Sequence, residues 1–467
     1  MRLFYIILIL FFLGEHCIAQ SIPENTGIPA HPWADGAGKW ASGGRAGDAY
    51  LVTNTNTVGA GSIADAATQS NKVIIVTVAG TLQQQGVIQP QGDSLTWLFV
   101  TAPGEGFSMR QTVMEFRAAN QIVLGLRMRV GADPGNPNPT QRDALSLNSS
   151  TNEVYNVNIA YSSFAYSMDE MIDIRNGAHD ITIQNCIIAY PLYDSWHPST
   201  PHSMAFNSTT GTDPNYNISV YKNLFALYNR RGTKTDSTGF EAVNNFHYGW
   251  RQHAFENQEH GFAKVINNYL QSTSSQVGAA STFLVSSATS SLKFYVAGNI
   301  SPQITSADQW SGANGSKTYR VYDPETRHIR GTILNAEAVK DLVMTSAGAF
   351  PLDSLDMAVL DTIRTGEGAL IDTTSETVGF ETYVGTAGTD SDSDGIPDAW
   401  EIRLGTDPQT ADAMAHTKHG WYVNAEVWAF YLIAEHTEDF QSAPARNSRY
   451  RGNGKYKRAR KPYWPKL

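Results

Sequence analysis

Short strand-like segments recur along the middle of the chain, and this recurrence constrains the fold more than any other feature of the sequence. VNIAYSSF begins at Val157, ITIQNCII at Ile181, ISVYKNLF at Ile218, FEAVNNFH at Phe240 and AKVINNYL at Ala263. Their sixth positions are Ser162, Cys186, Asn223, Asn245 and Asn268, at spacings of 24, 37, 22 and 23, and Asn299 extends the column. One coil of about 22 to 24 residues explains most intervals, with loop insertions in the longer one. An asparagine at one place per coil can donate its amide to one turn and accept from the next, which builds an internal ladder. The alternative, separate surface turns marked by Asn pairs, accounts less well for the apolar residues that flank each pair at strand period. The pattern predicts an all-β chain, a right-handed parallel β-helix over about 27–340. Helical patterns over 335–344 and 354–365 end the regular coils and open a C-terminal capping region, 341–467.

Composition agrees. At 467 residues with 41 % hydrophobic content the chain can bury a large core, and only 17 % charged residues argues against a helical bundle or a disordered chain. Residues 1–19 read as a secretory signal: Arg2, an apolar run from Leu3 to Leu13, then Cys17-Ile18-Ala19 before the cut. The run is short for a membrane span, and no later stretch reaches about 18 apolar residues. The expected location is extracellular or periplasmic. Cleavage would remove Cys17, so Cys186 has no partner for a disulfide within one mature chain. Net charge is −10, yet Lys455, Lys457, Arg458, Arg460, Lys461 and Lys466 crowd the end, where a basic tail could be solvated or touch a polyanion. The glycine-rich stretch from Gly36 lacks phosphate-loop spacing and better suits the start of the solenoid. The expected form is a monomer that binds no nucleic acid.

The segment DSDSDGIPDAWE carries a second signal. Asp390, Asp392, Asp394, Asp398 and Glu401 stand at the first, third, fifth, ninth and twelfth places of a calcium-loop pattern, with Gly395 at the sixth. Ile396 would offer its carbonyl, and Glu401 would close the shell with two oxygens. A structural calcium site like those of thrombospondin-type and dockerin-like repeats is expected over 390–401; a plain acidic loop is the alternative.

The order of motifs resembles polysaccharide lyase family 1, the pectate lyases, and in particular their secreted bacterial branch. The likeness runs through GAGKWASGGRAGDAYLV, VIIVTVAGTL, TAPGEG, RDALSL, NVNIAYSSFAYSMDEMIDI, DITIQNCIIAYPL, NLFALYNRRG and VNNFHYGW to the calcium loop, most of the mature chain. Such enzymes cleave uronate polymers by β-elimination with calcium. The C5 proton lies α to a carboxylate and is very weakly acidic, so positive charge has to stabilise the species formed as it leaves.

The resemblance implies Asp143, Asp169 and Asp173 as active-site calcium ligands and Arg231 as proton acceptor, with Arg230 and Lys234 flanking it on the substrate. At strand period Asp169 and Asp173 would share a face. The residues alone also allow ordinary turn aspartates, and an arginine that only clamps a carboxylate, since arginine normally stays protonated. The chain departs from the family in two places. Ala160 and Tyr161 stand where an Asp-His pair is usual, and WHPSTPH has His197 and His202 without the expected lysine. These histidines could serve as acid, base or substrate donors, or as plain loop residues. A glycan-binding β-helix without activity is the competing class. A hydrolase is disfavoured, because Asp169 and Glu170 as strand neighbours would face opposite ways.

Overall fold

The computed structural model describes residues 27–131, 142–199, 201–209, 211, 213–257, 261–274, 281–285, 292–315, 317–321, 327–371 and 382–442. The leader 1–19 and the basic residues Lys455 to Lys466 lie outside the described residues.

All strand pairing is parallel, and the chain forms the expected parallel β-helix. Among the described residues one sheet has ten strands, from Asp48–Val52 to Lys293–Ala297. The recurring segments stack in register on it: Val157 pairs with Ile181, Ile181 with Ile218, Ile218 with Phe240, and Phe240 with Ala263. The remaining strands form two further columns, joined by the long strand Phe107–Phe116. Its Met109 and Arg110 pair with Met128 and Arg129, whereas Met114 to Phe116 pair with Leu145 to Leu147. A typical coil therefore carries three strands. One of these columns continues through Leu145–Asn148, Glu170–Arg175, Met204–Ser208, Thr233–Thr235 and His253–Asn257, and it positions the candidate site.

The asparagine ladder forms as its spacing predicts. Asn223 Nδ2 donates to Asn245 Oδ1 at 3.1 Å, Asn245 to Asn268 at 3.1 Å and Asn268 to Asn299 at 2.9 Å. Each amide also reaches a backbone carbonyl inside the turn, such as Ile183 O for Asn223. Cys186 N–H donates to Asn223 Oδ1, so the non-asparagine rung joins by its backbone. Satisfied in this way, buried amides add about 1 kcal/mol per bond, and each would cost more if orphaned.

Past the last coils the chain does not sit as a cap over one end. It runs back along the flank of the helix. Helix Val339–Ser346 lies beside the strand Phe246–Trp250. Arg129 then pins helix Ser354–Thr365 through Asp353 at 2.7 Å and Asp356 at 3.0 Å. Farther on, Ile396, Ala413, Tyr422 and Trp428 pack with Val73, Ile75, Leu98 and Val100 of the first coils. Gly395 shows how close this approach is. It has φ +100, and a Cβ there would lie 2.6 Å from Leu51. Among the described residues no helix is long and apolar enough to cross a membrane.

Candidate active site and acidic loop

The strand column named above places alternate residues outward. Ser146 pairs with Asp173, Asp173 with Asn207, Asn207 with Lys234, and Lys234 with Glu256, one row across successive coils. Next to this row the structure gathers the charges of the candidate site. Asp143 directly precedes the column and is buried. Asp169 stands just before the strand Glu170–Arg175. Arg231 follows Tyr228 and Asn229 on the next coil but one, in a left-handed conformation at φ 53. A non-glycine residue there is strained, and such strain is common where a side chain must be aimed. The Arg231 carbonyl accepts from Ala205 N and Phe206 N, and its own N–H donates to Glu256 Oε1 at 2.9 Å, so the turn is fixed on both sides.

Carboxylate oxygens of Asp143, Asp169 and Glu170 lie within 4.8 Å of one another. Glu170 pairs with Arg231 Nη1 and shares a hydrogen bond with Asp169. Sequence reasoning missed Glu170, because it set neighbouring residues on opposite faces. That rule holds inside a strand, and Asp169 lies outside one, so its backbone turns and the two carboxylates converge. For the same reason Asp169 and Asp173 do not form the closest pair. Asp173 instead accepts from Asn207 Nδ2 at 2.9 Å and pairs with Arg175, which also reaches Asp143 at 3.1 Å.

His197 and His202 come to the same place. Their rings stack at 3.9 Å, and both aim Nε2 at Asp169 Oδ1, from 3.8 Å and 2.8 Å. Trp196, next in sequence, is 61 % exposed beside them. Lys234 holds its place in the outward row, and Arg230 lies close enough to lower the proton affinity of His202 and His253.

The electrostatics show a site short of positive charge. Burial, then Asp173, Asp169 and Glu170, push Asp143 well above the usual carboxylate range against the pull of Arg175. Burial and Asp169 raise Glu170 to about 7. Burial raises Asp173 to about 6, although Arg175 opposes it. Burial and the neighbouring His202 depress His197 to about 4, so its imidazole is neutral near pH 7. Asp143 Oδ1 is buried without a hydrogen-bond partner among the described residues. Clustered oxygens, raised carboxylates and an orphaned oxygen together fit a hard divalent cation bound by oxygen.

The acidic loop near the C-terminus is built differently. Asp390 accepts from Ser393 N and Gly395 N, each at 2.9 Å, and Asp394 Oδ1 accepts from Ile396 N at 2.9 Å. Asp390, Asp392 and Asp394 form one close set of oxygens, and Asp394, Glu401 and Asp412 another. Asp398, the expected ninth-place ligand, belongs to neither. It accepts from Ser391 N at 2.8 Å and Ser391 Oγ at 2.7 Å, as a residue opening the short helix Asp398–Leu404 can. Glu401 is fully buried, and burial with Asp392, Asp394 and Asp412 around it raises it to about 7.

Two fungal proteins described as probable pectate lyase C match nearly the whole chain. The one from Aspergillus flavus is 28 % identical over 432 residues, 88 % of this chain and 95 % of that protein. The one from Aspergillus fumigatus is 29 % identical over 430 residues, covering 87 % and 94 %. Over that length the chain is similar to these two probable pectate lyases. No family model matches it. Among solved structures, an arginine-to-lysine variant of a Bacillus subtilis pectate lyase superimposes with a TM-score of 0.50 at 14 % identity, over 68 % of this chain and 98 % of the other. A pectate lyase studied for substrate specificity and anti β-elimination gives the same values. That likeness is one of fold, and it agrees with the β-helix that this chain forms.

Proposed function

We propose that this protein is a secreted, calcium-dependent polysaccharide lyase that cleaves an acidic, uronate-containing polysaccharide such as pectate by β-elimination. The observation that carries the reading is the juxtaposition of the Asp143, Asp169 and Glu170 oxygens with Arg231 across successive coils on one side of the β-helix. The fungal relatives supply the reaction class. The narrower placement with the secreted bacterial enzymes rests on the order of motifs alone.

Calcium, when bound, would supply positive charge at the uronate carboxylate and so acidify the adjacent C5–H. Asp143, Asp169 and Glu170 would hold the cation, with Asp173 kept in place by Arg175 and Asn207. Arg231, once its guanidinium has passed a proton to solvent, receives the C5 proton at a guanidine nitrogen as the C5–H electrons form the C4–C5 double bond, the C4–O bond breaks and the leaving glycosidic oxygen takes a proton from solvent. For this its pair with Glu170 has to open, as it would if Glu170 helped to hold a cation. Arg230 and Lys234 meet substrate carboxylates, and His202 and His197 orient Asp169. Trp196 offers its ring face to a sugar. The leader 1–19 supports export, and Asp390, Asp392, Asp394, the Ile396 carbonyl and Glu401 are proposed to hold a second, structural calcium.

A glycan-binding β-helix without activity is the second reading. One observation favours it: Arg175 already reaches both Asp143 and Asp173, where a cation would otherwise bring them together. The deciding experiment follows the ultraviolet absorbance of unsaturated product on polygalacturonate, then on other uronate polymers, with calcium or chelator, for wild type and Arg231→Ala. A calcium-dependent rise that the variant loses establishes elimination. Glycan binding with no product on any polymer sinks it and leaves the binding module.

A further inference from the structure

We propose that Asp412 is a ligand of the cation in the C-terminal loop, so that one ion ties residues 390–401 to the segment that opens the last helix. The inference rests on the reading of 390–401 as a calcium loop and adds a ligand from outside it. Oxygens of Asp394, Glu401 and Asp412 lie within 4.8 Å of one another. Glu401 is fully buried, and neither of its carboxylate oxygens has a hydrogen-bond partner among the described residues; Asp392 Oδ2 is likewise buried and unpartnered. Buried oxygens of this kind call for a partner, and the two on Glu401, beside Asp394 and Asp412, suit a hard cation. The loop itself is one carboxylate short, because Asp398 gives both oxygens to Ser391.

Asp412 is held ready for the place. Its N–H and that of Ala413 donate to Asp394 Oδ2 at 2.8 Å and 2.6 Å. Asn424, first residue of helix Asn424–Ser442, donates from Nδ2 to Asp412 Oδ1 at 3.0 Å and to its carbonyl at 2.9 Å. Ala425 N donates to Ala413 O. An ion bound by Asp412 and Glu401 therefore links the short helix Asp398–Leu404 to the long one. Both helices contribute to the apolar cluster that covers Val73, Ile75, Leu98 and Val100. The ion thus acts as a clasp that keeps the returning chain on the first coils.

The test uses the full chain carrying Asp143→Asn, so that the coil site does not obscure the result, and reads calcium binding by calorimetry and melting temperature with calcium or chelator. Asp392→Asn and Asp412→Asn are each expected to weaken calcium binding by about tenfold or more and to remove most of the calcium-dependent rise in melting temperature, whereas Asp398→Asn changes affinity by less than about threefold. Calcium should slow proteolysis within 382–442 in the parent and in Asp398→Asn, and not in Asp412→Asn. If Asp412→Asn binds and is protected like the parent while Asp392→Asn is not, the loop holds its ion alone and the clasp is wrong. If the parent shows no calcium-dependent change at all, the calcium-loop reading itself falls.

Discussion

The two acidic clusters of this molecule are built on opposite principles. In the coil site the carboxylates already have cationic or imidazole partners: Glu170 has Arg231, Asp143 and Asp173 share Arg175, and Asp169 faces His202. In the C-terminal loop they are oriented by backbone N–H groups, as Asp390 is by Ser393 and Gly395, and Glu401 is left with no partner. A cation entering the first site must displace existing pairs, so part of its binding energy goes into exchange and the site stays switchable. A cation entering the second meets oxygens already aimed, at little reorganisation cost. The first arrangement suits a site that must also take and release a charged polymer. The second suits a permanent pin.

The largest effect should come from breaking the first site. Arg231→Ala is expected to lower turnover on polygalacturonate by about a hundredfold or more, with calcium binding at the C-terminal loop unchanged in calorimetry. Activity equal to wild type would remove Arg231 from the reaction.

The second test concerns stability. Glu401→Gln should abolish the calcium-dependent gain in melting temperature, which for saturating calcium at about a hundred times its Kd corresponds to roughly 2.7 kcal/mol. Arg231→Ala should leave that gain intact. If the two variants behave alike, the clusters are not independent and the contrast drawn above fails.

The pH dependence sharpens the same contrast. Glu170 and Glu401 are both raised to about 7 from the ordinary 4.5. A carboxyl group raised by folding binds more protons in the native state than in the unfolded one, so its stability contribution is complete below the unfolded value and is lost as pH rises through the folded one. Chelated protein should therefore lose melting temperature between about pH 4.5 and 7, and calcium should flatten the slope. A chelated protein that gains stability across that window would contradict both assignments. The smallest effect is expected at the rim: Trp196→Ala should raise KM on polymer by a few fold, about 1 kcal/mol, with little change in kcat.

Much of the architecture was legible in the sequence because the coil repeats its chemistry. Asn223, Asn245, Asn268 and Asn299 must each satisfy a buried amide, and only stacked turns at their spacing allow it. Asp143, Asp169 and Arg231 were legible through the motifs around them. Glu170 and Asp412 were not. Strand alternation predicts direction only within a strand, and Asp169 ends the rule one residue before Glu170. Asp412 is distant in sequence from the head of the acidic loop and belongs to no spacing pattern. Only the folded chain brings its carboxylate to Glu401.

The sequence by itself thus determined the repeat, the strand period, the internal ladder and the presence of two acidic motifs, since each is a local property of residue type and spacing. The tertiary structure decided the partners. It set Glu170 against Arg231, turned Asp398 to Ser391, placed Asp412 beside Glu401, and returned the final helices along the flank to the first coils. Those choices depend on which surfaces remain to be buried once the coils have stacked, and on where charges lie in three dimensions.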